Sequence, residues 1–410
     1  FQIETNIGGA PTAFTATWGS GKPVIGIMGE FDALPGLSQD AVPDRKPVVE
    51  NGAGHGCGHN LLGIASVAAA ISAKGYLESS KRPGTIRYYG TPAEEGGAGK
   101  VYMAHAGAFA GVDAVLAWHP WNNNDATPVS CNAVIRAEIR FRGVASHASS
   151  APERGRSALD GLMMMGMGIE MLREHIPQDS RIHYVITKGG RAPNIVPEMA
   201  QAEIYVRHPQ MAELDGIWAR VKKVAEGAAT MTETSVDVLN VSGSWNLLPN
   251  STLNQIVDRH LQAVGGVKLS EEGMKFAEEI RKSLPAAVRS AHPMTEVTEV
   301  AKMRPEGRFP ASTDAGDISW IVPMAHFQTA TFAPGVAAHT WQATACAGAE
   351  IGRKGMMVAA KTLALTAIDL FENPAPLVAA KAEFDRRRAG IVHQSVIPVG
   401  AKPPLTYRAE

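Results

Sequence analysis

Three short runs constrain this chain more than any other feature. Residues 23–28 (Pro-Val-Ile-Gly-Ile-Met), 84–91 (Gly-Thr-Ile-Arg-Tyr-Tyr-Gly-Thr) and 114–120 (Ala-Val-Leu-Ala-Trp-His-Pro) read as strands. The first is continuously apolar, as a strand buried on both faces is. Each run ends in side chains that can offer a lone pair. Glu30 and Asp32 follow the first, Glu94 and Glu95 follow the second, and His119 tips the third. Between them, residues 61–73 and a stretch near 101–108 read as helices. Alternating strand and helix signals predict an α/β fold: a mainly parallel mixed sheet with helices on both faces. Ligands bind such open sheets at the carboxyl ends of the strands.

One further stretch falls on that edge. His55-Gly-Cys-Gly-His-Asn60 lies after the first strand and at the start of a helix, on glycines that turn sharply. Cys57 and His59 are the soft and borderline donors that zinc and its neighbours prefer. The plain alternative is a buried thiol between two loop histidines.

From residue 132 the texture changes. Residues 134–141 alternate strictly, as a half-exposed strand does. Helix 156–173, strands 181–187 and 199–206, helix 212–229 and strand 235–241 follow. The order β-α-β-β-α-β is that of a ferredoxin-like module, and about one hundred residues suffice for a domain. The methionines from Met163 to Met167 read as packing. After residue 246 the first texture returns, with helices at 252–264, 271–284, 349–370 and 376–388, a strand at 326–332 and an extended Pro-rich tail at 398–410. The expected division is 1–132 and 246–410 as two parts of a metal-binding catalytic domain, with 133–245 inserted. At 410 residues the chain is too long for one compact core.

Charge narrows the partners. A net charge of -1 without long basic or acidic runs points away from nucleic acid and from anionic membranes. No apolar run in the sequence reads as a membrane span. Three cysteines, Cys57, Cys131 and Cys346, are no disulfide framework and suit a reducing compartment, so a cytoplasmic location is expected. Phe1 opens the chain inside a strand-like run, and a trimmed N-terminus is the expectation.

The candidate metal ligands are Cys57, His59, Glu95, His119 and His339. Five donors are too many for one catalytic ion with an open position and suit two divalent ions, Mn or Zn, sharing a bridging group. Glu94 is the expected general base toward a metal-held hydroxide, and Asp32 the partner that fixes an imidazole tautomer. Gly96-Gly-Ala-Gly-Lys100 resembles a phosphate loop only superficially, because Val101 stands where the magnesium hydroxyl belongs.

Gly29-Glu-Phe-Asp-Ala-Leu-Pro35, the Cys57 cluster, Pro92-Ala-Glu-Glu-Gly-Gly97, Trp118-His-Pro120, Ser146-His-Ala-Ser149 and His339-Thr-Trp-Gln342 occur in this order. Together they resemble the twentieth metallopeptidase family, the aminoacylase and carboxypeptidase-G-like amidohydrolases, in the subgroup with a Cys ligand. The likeness covers nearly the whole chain. It implies a dinuclear hydrolase of N-acyl or N-aroyl amino acids such as p-aminobenzoyl-glutamate. It also implies that the insert is a dimerisation or lid domain of a homodimer. His147 would then stabilise the oxyanion in the neighbouring subunit, while Asn194 and Arg207 hold the substrate's carbonyl or carboxylate. Asn60 departs from the pattern, since most relatives carry an acid there. Three alternatives stand beside this reading: a non-catalytic or regulatory subunit with a related partner, a dipeptidase of the same family, and a structural zinc protein.

Overall fold

The computed structural model describes residues 1–406. The chain opens with a hairpin of β1 (Gln2–Thr5) and β2 (Phe14–Ser20) around a short 3-10 turn at Ile7–Gly9. Strands β3 (Val24–Glu30), β4 (Gly84–Thr91) and β5 (Ala114–Trp121) follow. Then come β6 (Val129–Cys131), β7 (Ala133–Arg142), β8 (Arg181–Lys188), β9 (Met199–His208) and β10 (Ser235–Ser244). The last are β11 (Gly307–Phe309) and β12 (Met324–Ala330).

The main sheet runs β1-β2-β4-β3-β5-β12. Its inner strands are parallel: Ile25 pairs with Ile86 of β4 and Ala114 of β5, and β12 lies parallel to β5. The β1–β2 hairpin joins antiparallel, which makes the sheet mixed. Ile25 and Ile27 have no solvent exposure, because helices cover both faces. On one face His59–Ser80, Ser251–Val264 and Glu350–Glu372 close over a core that includes Leu61, Leu116, Phe327 and Leu363. On the other, Gly99–His105 and Ala315–Ser319 pack near Met28, Tyr89, Met103 and Ile318.

This topology positions the site. From β3 the chain crosses to β4 on one side and then to β5 on the other. The gap between the carboxyl ends of β3 and β5 is therefore a switch point, where an open α/β sheet leaves a crevice. The apolar run read at 61–73 extends to the 22-residue helix His59–Ser80. It is long and apolar enough to cross a bilayer, yet half of its apolar window is buried inside the protein, against β3 and Glu350–Glu372.

Strands β10-β7-β9-β8 form a second sheet, antiparallel throughout, on which the helices Ala158–Arg173 and Met211–Met231 pack. Ile135, Ala137, Ile139 and Phe141 are buried against those helices, while Arg136, Glu138 and Arg140 alternate onto the other face. The methionines follow the sequence expectation in part, since Met164 packs against the core. Met165 is fully buried, but Met163, Met167 and Met171 are 55%, 55% and 68% exposed. They recur every four residues and form an outward stripe. In the tail, residues 398–406 carry no helix or strand, and 407–410 lie outside the described residues.

Candidate metal centre

Short turns with unusual backbone geometry bring the donors together. Gly58 has φ 76° and starts the helix at His59. A Cβ there would sit 2.8 Å from Cβ of Pro120, next to His119. Ala93, just before Glu94, has φ 60°, and His339 has φ 62°. Left-handed backbone at residues with a Cβ costs roughly 1–2 kcal/mol and is found where surrounding contacts force it. At His339 one such contact is its N–H, which donates to the Gly56 carbonyl at 2.8 Å.

The five predicted ligands converge as two triads that share one member. Donor atoms of Cys57, His59 and His119 lie within 4.8 Å of one another, and so do those of Cys57, Glu95 and His339. Cys57 Sγ is 3.5 Å from His119 Nε2, and Glu95 Oε2 is 3.3 Å from His339 Nε2. Cys57 and His59 are buried, whereas His339 lies at the exposed rim. Glu94 falls with His59 and Glu30 in a third such group.

Asp32 ties the cluster together. Its Oδ1 is 3.0 Å from His59 Nδ1, and its Oδ2 accepts the Glu95 N–H at 3.0 Å. A proton on Nδ1 leaves His59 Nε2 as the lone-pair side. That nitrogen is buried and makes no aligned hydrogen bond, although Glu30 Oε2 approaches to 3.0 Å. His119 Nδ1 is 2.7 Å from the Pro120 carbonyl, which likewise turns Nε2 toward Cys57.

The electrostatics suit a cation. Burial alone would raise the Cys57 thiol, but His119, helped by His339 and His59, brings it down to about 5. Cys131 and Cys346 are pushed up by burial, to about 11 and about 12. Hydrogen bonding to Cys57 and Glu95 lifts His339 to about 10. Glu94 is held well above the ordinary carboxylate range by burial and then by the negative charges of Glu30 and Asp314. A thiolate, three imidazoles and a carboxylate around a buried, unbonded nitrogen fit divalent zinc-like ions.

A model of peptidase family M20/M25/M40 matches residues 26–364. This chain belongs to that family. It is 41% identical over 394 residues to one of the named subunits of the p-aminobenzoyl-glutamate hydrolase of Escherichia coli, covering 90% of this chain and 82% of that protein. It is 32% identical to the Xaa-Arg dipeptidase of Mus musculus, covering 92% and 78%. Among solved structures, the fold is similar to a dinuclear metal binding peptidase of the M20 family from Bacillus subtilis, with TM-score 0.55, 18% identity, and 90% and 88% of the two chains covered. An aminobenzoyl-glutamate utilization protein from Klebsiella pneumoniae gives TM-score 0.57 at 19% identity, covering 89% and 76%. The chain is thus a metal-dependent M20 hydrolase with the mixed α/β fold of that family.

Three predicted residues lie apart from the M20 centre. His147 and Asn194 are exposed neighbours: His147 bridges to Ile195, and the Ala148 N–H donates to the Asn194 carbonyl at 3.0 Å. Among the described residues, no hydrogen bond or ion pair joins either to the Cys57 cluster. Arg207 comes nearer, with Nη1 donating to Ser312 Oγ at 2.9 Å.

Sequence reasoning missed a buried ionic core under the M20 donors. Lys100, fully buried, places Nζ 2.7 Å from Glu30 Oε1 and 2.5 Å from Asp314 Oδ1. Its N–H also donates to Asp314 Oδ2 at 2.9 Å. Burial opposes the charge on Glu30, yet Lys100 and His59 hold that carboxyl well below its usual range. The available signal was the apolar run Val101-Tyr-Met103 directly after Lys100, a context that buries its neighbours. His326 was also missed. Burial and nearby His119 push it down to about 4, so it stays neutral.

Proposed function

We propose that the chain cleaves the amide bond of N-acyl or N-aroyl amino acids, with p-aminobenzoyl-glutamate as the leading substrate. The observation that carries this reading is the pair of donor triads sharing Cys57, with Glu94 beside His59. Cys57, His59, Glu95, His119 and His339 would hold two divalent ions, Mn or Zn, which when bound supply an activated water and a Lewis acid for the carbonyl.

The chain's own groups manage the protons. Glu94 accepts a proton from the attacking water and passes it to the leaving amine. A desolvated carboxyl with raised proton affinity suits that shuttle. Asp32 keeps the His59 ring in one orientation. His147 is exposed, and its Nδ1 accepts N–H bonds from Ser149 and Ser150 at 3.2 and 3.1 Å, which leaves Nε2 as the nitrogen free to donate. That Nε2–H can donate to the oxyanion of a neighbouring subunit's substrate, with Asn194 beside it and Arg207 pairing with a carboxylate.

This reading treats 133–245 as the dimerisation domain between catalytic parts 1–132 and 246–410. The exposed Met163, Met167 and Met171 stripe supports it, together with the edge strand β8, where Val185 and Ile186 are 60% and 48% exposed. A second reading, a related partner chain, is favoured by similarity to both named subunits of the Escherichia coli hydrolase, at 41% for one and 27% for the other. One assay separates them. The isolated chain, loaded with Mn²⁺ or Zn²⁺, is offered a panel of N-acyl amino acids. Metal-dependent turnover above a Glu94→Ala control supports catalysis by this chain, and its absence defeats it.

A further inference from the structure

Two arginines of the second sheet share a face with Glu138 and Glu203, but Glu138 accepts from Gln201 and Asn240 while Glu203 acts on Tyr205. Arg136 on β7 pairs with Tyr205 on β9, and Arg207 pairs with Val134. Cross-strand partners and residues two apart share a face, so both arginines and Tyr205 project from the side away from the helices. Their guanidinium carbons lie 5.1 Å and 5.7 Å from the centroid of the Tyr205 ring. Among the described residues neither arginine forms an ion pair. Arg136 Nη1 donates to the Gly96 carbonyl at 3.1 Å, while its Nε is buried with no hydrogen-bond partner. Arg207 Nε donates to His183 Nε2 at 3.3 Å and Nη1 to Ser312 Oγ.

The placement joins this pair to the centre. Gly96 directly follows Glu94 and Glu95, and Ser312 lies two residues before Asp314. Both arginines thus reach from the second sheet to loops that carry or support the donors. A half-buried guanidinium with no ion pair is an uncommon arrangement, because partly buried charges are normally paired. Here two sit together, and the closeness of Arg136 adds to burial in depressing the proton affinity of Arg207. A doubly negative ligand would relieve both.

We propose that Arg136 and Arg207 together clamp the two carboxylates of a substrate whose amino acid is acidic. The proposal rests on the amidohydrolase reading and deepens it. Arg207 alone can hold the single carboxylate common to all N-acyl amino acids. Arg136 meets the substrate only when a second carboxylate is present, as in aspartate or glutamate conjugates. A neutral side chain leaves it with Gly96 and the face of Tyr205. A cationic side chain brings a third positive charge to the same face. The expected order is acidic, then neutral, then basic.

The test compares N-benzoyl-glutamate, N-benzoyl-alanine and N-benzoyl-arginine on the metal-loaded chain and on Arg136→Gln and Arg136→Lys, with kcat and KM separated. A charge-assisted pair corresponds to about 10- to 100-fold in affinity. The wild-type chain should prefer glutamate over alanine by about that factor, chiefly in KM. Arg136→Gln should collapse the ratio toward one, and Arg136→Lys should keep part of it. Equal losses on glutamate and alanine would assign Arg136 a purely structural role through Gly96 and overturn the clamp. Preference for arginine would overturn it too. If no amide is turned over, the hydrolase reading fails separately. Calorimetric titration with N-benzoyl-glutamate then decides: binding weakened 10- to 100-fold in Arg136→Gln supports the clamp, and equal affinity overturns it.

Discussion

Replacing Lys100 with methionine tests the ionic core beneath the centre. Lys100 Nζ is the shared cation of two carboxylates, 2.7 Å from Glu30 and 2.5 Å from Asp314, and is itself fully buried. Methionine keeps much of the volume and removes the charge. Breaking a buried pair by deleting one partner typically costs about 3–5 kcal/mol. A second route gives a similar figure. One of the two orphaned acids must take up a proton, and holding a carboxyl neutral at pH 7, about three units above its ordinary value, costs ~4 kcal/mol. That route also fixes the sign with pH. The folded variant would bind one more proton than the folded wild type, so relative to the wild type its stability falls as pH rises, by about 1.4 kcal/mol per unit across the neutral range. In the wild type Glu30 is depressed, so its contribution is present above the unfolded value and is lost only as pH falls through the folded one. Urea unfolding of metal-free protein at pH 5 through 8 measures both. A loss below about 1 kcal/mol at pH 7, or a pH slope matching that of the wild type, would refute the reasoning.

Other outcomes follow from the same geometry. With its thiol at about 5, Cys57 in metal-free protein should be alkylated at pH 6–7, while Cys131 and Cys346, pushed up by burial, stay unmodified until the chain is denatured; peptide mass spectrometry reads this. Asp32→Asn should weaken metal binding about 10- to 100-fold, because the hydrogen bond that fixes His59 changes character; competition with a chelator measures it. Gly58→Ala should destabilise the fold by about 1–3 kcal/mol, since the added Cβ demands a left-handed residue and meets Pro120 at 2.8 Å; a denaturant midpoint shift checks it.

Much of the main sheet was legible because its signals are local. A buried strand followed by donors and the start of a helix is written within one short stretch, as from Val24–Glu30 to His59. The ion pairing of Lys100 was not legible. The lysine follows glycines and reads as loop, and its partner Asp314 lies 214 residues away. Arg136 looks like any outward residue of an alternating strand, and only the packing of the two sheets brings it to Gly96. The methionines differ again: five residues of one kind on one helix have different fates, because exposure depends on the helical angle and not on composition.

The two triads have a consequence for when the centre can exist. Cys57 and His339 are 282 residues apart (339 − 57), and both fall in the triad completed by Glu95. A nascent chain that has released only its first half therefore cannot close that ring, and capture of an ion by the proposed ligands would be a late event of maturation. An ion held by that triad would work as a clasp between residues 57 and 339. Chelation should accordingly loosen the exposed arm bearing His339 before it disturbs the sheet, an order that hydrogen exchange can time.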